Sequence, residues 1–164
     1  MKCLIQLCLI LMVVNYESTF AKELSPNHIF NLHRPLKAGK FEAKIALKPF
    51  NKLMYSYKNT GAWGPELTSP KNFIYSLDVS IKSQQKWVRL SAFSDLFDIN
   101  KAEIVERDKY IVIKIEGGET SYHYIAEIYF DREGYLVKRN VWSPSFPDQV
   151  KEETTYSFIR NKDM

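Results

Sequence analysis

Residues 119–142 read ETSYHYIAEIYFDREGYLVKRNVW and have the pattern of two β-strands joined by a turn. Apolar residues recur at every second position of the first half, as expected for a strand whose side chains alternate between two faces. The predicted inward face contains Tyr122, Tyr124, Ala126, Ile128 and Phe130. Asp131 and Gly134 are typical turn residues, because Asp bonds the backbone just beyond it and glycine tolerates positive φ. The stretch therefore predicts a β-hairpin with a short bulged loop.

The second arm of this hairpin, residues 135–142, is rich in β-forming Tyr, Val and Leu. Its pattern leaves open whether Leu136 or Val137 points inward. A slip of one residue would exchange the two faces of the whole arm, because successive side chains of a strand point in opposite directions.

The same period of two predicts further strands along the chain. Residues 40–48 alternate most cleanly, with an apolar face of Phe41, Ala43, Ile45 and Leu47. Residues 73–81 repeat the pattern with Phe73, Tyr75, Leu77, Val79 and Ile81. Shorter strands are predicted for Leu53 to Tyr57, Lys86 to Ala92, Ala102 to Val105, Tyr110 to Ile115 and Glu153 to Ile159.

Two short segments have a helical pattern. Ser25-Pro26 is typical of a helix start and Pro35 of a stop, so one or two turns are expected through Leu32. Phe93 to Asn100 is either a short helix capped at Ser94 or an irregular crossing. With at most one or two short helices, strands joined by short turns predict a mainly β fold. We expect an antiparallel meander that forms a strongly curved sheet, a sandwich or an open barrel.

Residues 1–21 differ in composition from the rest of the chain. Lys2 precedes the almost wholly apolar run Cys3 to Val14, and Thr19-Phe20-Ala21 places small residues before a cleavage point. This order is typical of a secretory signal peptide cleaved after Ala21, and its apolar run is shorter than the ~20 residues of a membrane span. We therefore expect residues 22–164 to form one exported domain with no transmembrane span in the mature form.

Cysteine usage and charge indicate the compartment. Cys3 and Cys8 both lie in the predicted signal peptide, so the mature domain would contain no disulfide and no thiolate metal site. An exported domain without disulfides is more typical of a periplasm than of an extracellular scaffold, which stays the alternative. The formal net charge is +4, but no nucleic-acid partner is expected outside the cytoplasm.

Basic residues are concentrated in residues 34–58, where Glu42 is the only acidic residue. Within this stretch Lys40, Lys44 and Lys48 share one strand face and could attract an anionic partner. The alternative is that they form the solvated face of an amphipathic strand, or protect an edge strand from unwanted pairing.

Three large aromatic residues lie in or beside predicted loops: Trp63, Trp142 and Phe146. Aromatic side chains on loops commonly serve as binding anchors. They are equally suited to closing an open end of a sheet. Together with the three lysines they form the predicted binding surface for an envelope protein, lipid or glycan; the sequence predicts no oligomeric state.

No catalytic, metal or cofactor signature occurs in the sequence. The histidines His28, His33 and His123 lack the further ligands that a zinc site needs, and there is no Gly-x-Ser-x-Gly nucleophile motif. Glu116 and Glu119 flank a Gly-Gly turn, where carboxylates are normally solvated rather than poised for acid–base chemistry.

The expected function is therefore non-enzymatic: an exported, soluble binding protein for a protein or another envelope component. Two alternatives remain at this stage. One is a periplasmic carrier that holds a lipid or other apolar ligand in a β-sheet cavity. The other is a hydrolase that acts on an envelope polymer through Glu116, Glu119 or His123.

Overall fold

The computed structural model describes residues 25, 27–37, 39–51, 61–65, 69–146, 148 and 151–157. Within these residues, the strands form two antiparallel sheets. The first sheet contains, in order, β1 (Ile29–Leu36), β2 (Gly39–Pro49), β3 (Asn72–Ile81) and β4 (Gln84–Lys86). The second contains β5 (Ile99–Arg107), β6 (Tyr110–Gly117), β7 (Tyr124–Phe130), β8 (Leu136–Trp142) and β9 (Lys151–Thr155). Each strand pairs with the next one of its sheet along the chain, so both sheets are meanders.

The two sheets pack face to face around one hydrophobic core. Phe41 of β2 and Phe130 of β7 are fully buried, and their rings lie 5.5 Å apart across the space between the sheets. Each buried apolar side chain of this size stabilises the fold by about 1.5–3 kcal/mol. The mainly β, antiparallel prediction is confirmed. Of the three predicted arrangements the sandwich fits, because the sheets are not closed into a barrel.

The hairpin of residues 119–142 is confirmed as β7 and β8. Tyr124, Ala126, Ile128 and Phe130 all belong to the core, as the alternation predicts. The prediction was wrong for Tyr122, which is 44% exposed in a 3₁₀ turn formed by Thr120–Tyr122. The strand begins only at Tyr124, so the alternation of faces does not extend back to this residue.

A bulge in β8 resolves the register that the sequence left open. Phe130 pairs with Leu136, but Tyr129 pairs with Lys138, so Val137 is the extra residue. Leu136 and Arg139 consequently both face the core, although they are three residues apart. A single alternating pattern could not represent this strand, because a bulge shifts every later side chain to the other face.

A second bulge overturns the prediction for Tyr75. Ala46 of β2 pairs with Ser76, but Leu47 pairs with Ile74, so Tyr75 is left without a partner in the ladder. Its side chain is 55% exposed, while Ile74 is 2% exposed and occupies the inward position instead. The alternation from Leu77 to Ile81 is confirmed, because it lies beyond the bulge.

The helix predicted from Ser25-Pro26 through Leu32 is wrong, since residues 29–36 form strand β1. Phe30 and Leu32 are spaced by two and both pack against the core. Pro35 lies within the strand, which a proline tolerates because β1 is at the edge of its sheet.

The return strand predicted for Lys86 to Ala92 is also wrong. Only Gln84–Lys86 pairs with β3, and the chain then leaves the sheet and forms a 3₁₀ turn at Leu90–Ala92. The following residues cross between the sheets irregularly rather than as a helix capped at Ser94, with isolated bridges from Leu96 to Trp63 and from Phe97 to Phe73.

The remaining predictions differ in extent or cannot be compared. The strand at Ala102 to Val105 is confirmed within the longer β5, and that at Tyr110 to Ile115 within β6. The last strand, β9, begins and ends earlier than predicted. The signal peptide at 1–21, the strand at Leu53 to Tyr57 and residues 158–164 lie outside the described residues.

A buried arginine ties the crossing segment to the second sheet. The Arg139 guanidinium, 2% exposed, donates two hydrogen bonds of 2.7 Å to the Asp95 carboxylate and one of 2.8 Å to the Ser91 carbonyl oxygen. Burial by itself lowers the pKa of Arg139, but the hydrogen bonds and charge of Asp95 outweigh it, so the pKa is raised. This planar, two-pronged pairing positions the Leu90–Ala92 turn against β8.

We expect Arg139→Ala to lower the free energy of unfolding by about 3 kcal/mol, because it leaves the Asp95 carboxylate without its partner. Urea denaturation followed by circular dichroism measures the change. The double variant Arg139→Met with Asp95→Leu should recover much of the loss, since apolar replacement of both partners removes the unpaired charge. Lys101→Ala, which removes an exposed ion pair, is the control and should cost at most about 1 kcal/mol. Equal losses in Arg139→Ala and Lys101→Ala would contradict the assignment.

Candidate functional site

Two of the predicted binding lysines line one shallow depression on the outer face of the first sheet. The depression, of about 340 Å³, contains Lys40 and Lys44 together with Glu42 and Asp78. Lys40 forms a 2.7 Å ion pair with Glu42, whose pKa is lowered by the hydrogen bond and charge of Lys40. Asp78 lies directly across the strand pair from Lys44. The positive charge of these lysines is therefore locally balanced by carboxylates.

The third predicted lysine, Lys48, lies farther along β2 and does not line this depression. Its Nζ atom sits 3.3 Å from the centre of the Tyr75 ring, a cation–π contact that covers an otherwise exposed aromatic. The structure thus brings Lys40 and Lys44 together and leaves Lys48 in a separate contact.

Trp63 is half-buried and packs against the core. Its indole Nε1 donates a 3.2 Å hydrogen bond to Glu152 Oε2, and its ring centre lies 6.2 Å from that of Tyr124. These contacts join the 61–65 segment to β9 and β7. They match the role of closing an end of the sandwich, the alternative to a binding anchor.

Trp142 and Phe146 lie elsewhere. Trp142 pairs with Lys151 on the face of β8 opposite to the buried Val141, whereas Trp63 packs on the inner side. Phe146 is 46% exposed in the loop after β8. Trp63 and Trp142 therefore face opposite sides of the second sheet and do not form one surface.

The carboxylates considered for catalysis are engaged in ion pairs. Glu116 is 2.7 Å from the ammonium of Lys114, and Glu119 is 2.7 Å from that of Lys71. The hydrogen bond from Lys114 lowers the pKa of Glu116, which keeps the group ionised rather than available as an acid at neutral pH. Among the described residues, no three His, Cys, Asp or Glu side chains converge as a metal site would require.

A further carboxylate, Glu127, is buried on the outer face of the second sheet. It is 4% exposed and accepts hydrogen bonds from Arg107 and from the Tyr129 hydroxyl. Burial, and then the hydrogen bond and charge of Glu127, raise the pKa of Tyr129 to about 12. Lys138 lies 4.4 Å over the Tyr129 ring, and the Tyr110 ring meets it edge-on. These side chains cover the sheet rather than open a pocket.

The Tyr129 phenol is expected to titrate near pH 12 instead of its ordinary value of 10.0. Because the folded state holds this proton more tightly than the unfolded state, the contribution of Tyr129 to stability is constant below pH 10 and is lost as pH rises through that interval. Glu127→Gln should lower the Tyr129 pKa, yet leave it above 10.0 since burial remains. Carbon-13 NMR of labelled tyrosine, with Tyr129→Phe to assign the signal, measures both values. An unchanged pKa in Glu127→Gln would rule out the interaction.

A large opening lies beside the short strand β4 and extends along the end of the sandwich formed by the β1–β2, β3–β4 and β7–β8 turns. One part, here named the basic cleft, has a volume of about 850 Å³ and an apolar floor formed by Leu36, Ile81 and Tyr135. Its rim is formed by the turns of three hairpins and by β4 and β5. The charged rim residues are Lys37, Lys82, Lys86, Arg132, Glu106 and Glu133.

The positive charges of the basic cleft are only partly balanced. Glu106 is paired with Arg34 at 3.2 Å and with Arg132 at 3.3 Å. Within the described part of the chain, Lys37, Lys82 and Lys86 form no ion pair. The cleft therefore presents lysines whose charge is available to a ligand.

A second part, named the aromatic pocket, adjoins the basic cleft. It has a volume of about 510 Å³ and is lined by Trp87, Tyr135, Leu136 and Tyr156, with Lys86 and Arg89 at its edge. Trp87 is 77% exposed, the highest value among the large exposed apolar residues of the described chain. Arg89 holds the wall in place with a 3.3 Å hydrogen bond from Nη2 to the Ser157 carbonyl oxygen.

The two parts meet at Lys86 and Tyr135, which line both. The Lys86 ammonium lies 4.8 Å from the centre of the Tyr135 ring. Gly134, at φ +84°, allows this turn to approach β3 and β4, because a Cβ there would lie 2.9 Å from Ile81 Cγ2. We refer to the basic cleft and the aromatic pocket together as the side groove.

Sequence reasoning missed the side groove. It assigned residues 86–92 to a returning strand and did not single out Trp87. The available signal was a tryptophan between two cations, Lys86 and Arg89, directly after a polar turn. The partners Tyr135 and Tyr156 are distant in sequence, and their proximity depends on how the two sheets pack.

Comparisons with family models, curated proteins and solved structures found no match. Within the described ranges, no helix has the length and apolar character needed to cross a membrane. The fold defines the class as an antiparallel β-sandwich.

Proposed function

We propose that the protein is an exported, non-enzymatic binding protein that takes up a negatively charged envelope component in the side groove. The observation that carries this proposal is the coincidence of unpaired lysines with a highly exposed tryptophan in one large opening. Ligand sites in proteins typically occupy about 300–1,000 Å³ and combine apolar walls with a few polar groups. Both parts of the groove fall within that range.

The charge distribution favours this location over the predicted one. Lys40 and Lys44 lie beside carboxylates, so their depression offers little net charge to a partner. Lys37, Lys82 and Lys86 line the basic cleft and form no ion pair within the described residues, so their charge can attract an anion.

Trp87 supports the same conclusion. The Trp87 side chain is 77% exposed, so a ligand that covers it would gain the free energy of burying its apolar surface. Tryptophan and arginine are enriched among the residues that dominate binding energy, and Arg89 lies 5.9 Å from the Trp87 ring.

The two alternative functions receive less support. The ion pairs of Glu116 and Glu119 suit structural or solvated carboxylates better than a hydrolase. The contact between Phe41 and Phe130 places packed rings where an interior carrier site would lie. A ligand of apolar character would therefore bind at the side of the sandwich.

We expect Trp87→Ala to weaken binding of the anionic ligand by about 30-fold, the effect of a 2 kcal/mol anchor. Three probes represent the classes of partner: phosphatidylglycerol vesicles, poly-L-glutamate and heparin. Isothermal titration calorimetry of residues 22–164 measures each affinity. Lys82→Gln should weaken binding of the same probe and reduce its salt dependence, because an attraction between charges is screened by ions.

Trp142→Ala is the matched control, since Trp142 lies on the other face of the second sheet. It should leave affinity within about twofold of the wild type. The proposal fails if no probe binds at about 50 mM salt, or if Trp142→Ala weakens binding as much as Trp87→Ala.

Export is tested separately in a bacterium with a two-membrane envelope. The full chain should be recovered from the periplasmic fraction with Lys22 as its first residue, because Thr19-Phe20-Ala21 fits the small-residue rule for cleavage. N-terminal sequencing and intact mass identify the product. Ala21→Lys should block processing. Recovery of the unprocessed wild-type chain from the cytosol would refute export.

A further inference from the structure

We infer that the occupant of the side groove is a single-chain anionic amphiphile, with its charged head in the basic cleft and its alkyl chain in the aromatic pocket. This inference rests on the proposed function and narrows it to one ligand chemistry. It follows from the contrast between two adjoining compartments, one rimmed by cations and one walled by rings.

The basic cleft, which would hold the charged head group, is bordered by the turns of hairpins. Lys37 follows β1 and Lys82 follows β3, and the stem of Lys82 packs against Gly39, where an added Cβ would lie 2.9 Å from Lys82 Cγ. Arg132 is held on the opposite side by the Asp108 carbonyl oxygen at 3.0 Å and by Glu106. Cations from both sheets therefore border the cleft, an arrangement that suits a compact anion such as a phosphodiester.

The aromatic pocket, which would hold the alkyl chain, has mainly apolar walls. Leu136 and Tyr156 are 8% and 9% exposed and form its inner wall, while Trp87 stands exposed at its outer wall. An alkyl chain between these walls would cover Trp87 and add no buried polar group. A flat bilayer surface would not enter the space between Trp87 and Tyr156, so an extracted single amphiphile fits better than a membrane face.

Continuity between the compartments is provided by Lys86 and Tyr135. The ammonium of Lys86 and the Tyr135 ring border both spaces, so one molecule could contact both compartments only by passing over this pair. A short inorganic anion would use the basic cleft alone. An acidic peptide would use the lysines without needing an alkyl-shaped pocket.

The test uses lysophosphatidylglycerol at concentrations below its aggregation limit, with residues 22–164 of the wild type. Native mass spectrometry should detect a complex of one lipid per protein, and isothermal titration calorimetry gives the affinity for the wild type and for the variants. Affinity should rise about fourfold for each methylene added to the chain until the pocket is filled. Lysophosphatidylcholine, which has the same tail and no net charge, should bind at least tenfold more weakly.

Two variants separate head from tail. Trp87→Ala should flatten the dependence on chain length while keeping the preference for phosphatidylglycerol over phosphatidylcholine. Lys37→Gln combined with Lys82→Gln should remove the head-group preference while keeping the dependence on chain length. All three side chains are exposed, so neither variant is expected to unfold the protein.

The outcomes distinguish this inference from the proposed function. If sn-glycerol 3-phosphate or poly-L-glutamate binds as tightly as the lysolipid and loses affinity in the same variants, the groove binds anions but not an amphiphile, and only this inference is overturned. If none of these probes binds, the proposed function fails as well. A flat dependence on chain length in the wild type also overturns the inference.

Discussion

Burial of alternate side chains between two antiparallel sheets is the constraint on which the rest of the molecule depends. A strand can bury only one face in a sandwich, so each strand must contribute apolar residues at every second position. Phe41 and Phe130 illustrate the result, since they come from different sheets and their rings meet in the core. Where the local pairing departs from this period, at the bulges beside Tyr75 and Val137, the exposed and buried faces change with it.

The two sides of the sandwich are closed to different degrees. On one side β1 lies against β5, and the Arg34–Glu106 ion pair links the two sheets. On the other side β4 contains three residues, and the chain leaves the sheet at Trp87. The aromatic pocket opens where this pairing stops, whereas the basic cleft continues past the hairpin turns to Leu36 of β1 and Glu106 of β5.

Electrostatics separates the structural surfaces from the candidate binding surface. On the outer faces of both sheets, ion pairs between residues two apart on one strand, such as Lys40–Glu42 on β2 and Lys114–Glu116 on β6, place opposite charges side by side. Such exposed pairs contribute little stability, but they leave little net charge. Inside the fold, the Arg139–Asp95 ion pair positions the crossing segment against β8. The lysines of the basic cleft differ from these residues. Lys37, Lys82 and Lys86 line the same cleft, and none of them forms an ion pair within the described residues.

The sequence alone determined the strands of residues 41–47 and 124–130, the hairpin turn at Asp131 to Gly134 and the mainly β class. These features depend on a local period and on the conformational preferences of individual residues, which are readable within a few positions. The placement of Trp87, Lys82 and Tyr135 in one groove was decided only by the tertiary structure. These residues come from separate hairpins, and their proximity depends on the length of β4, the bulges and the packing of the two sheets, none of which has a local signal.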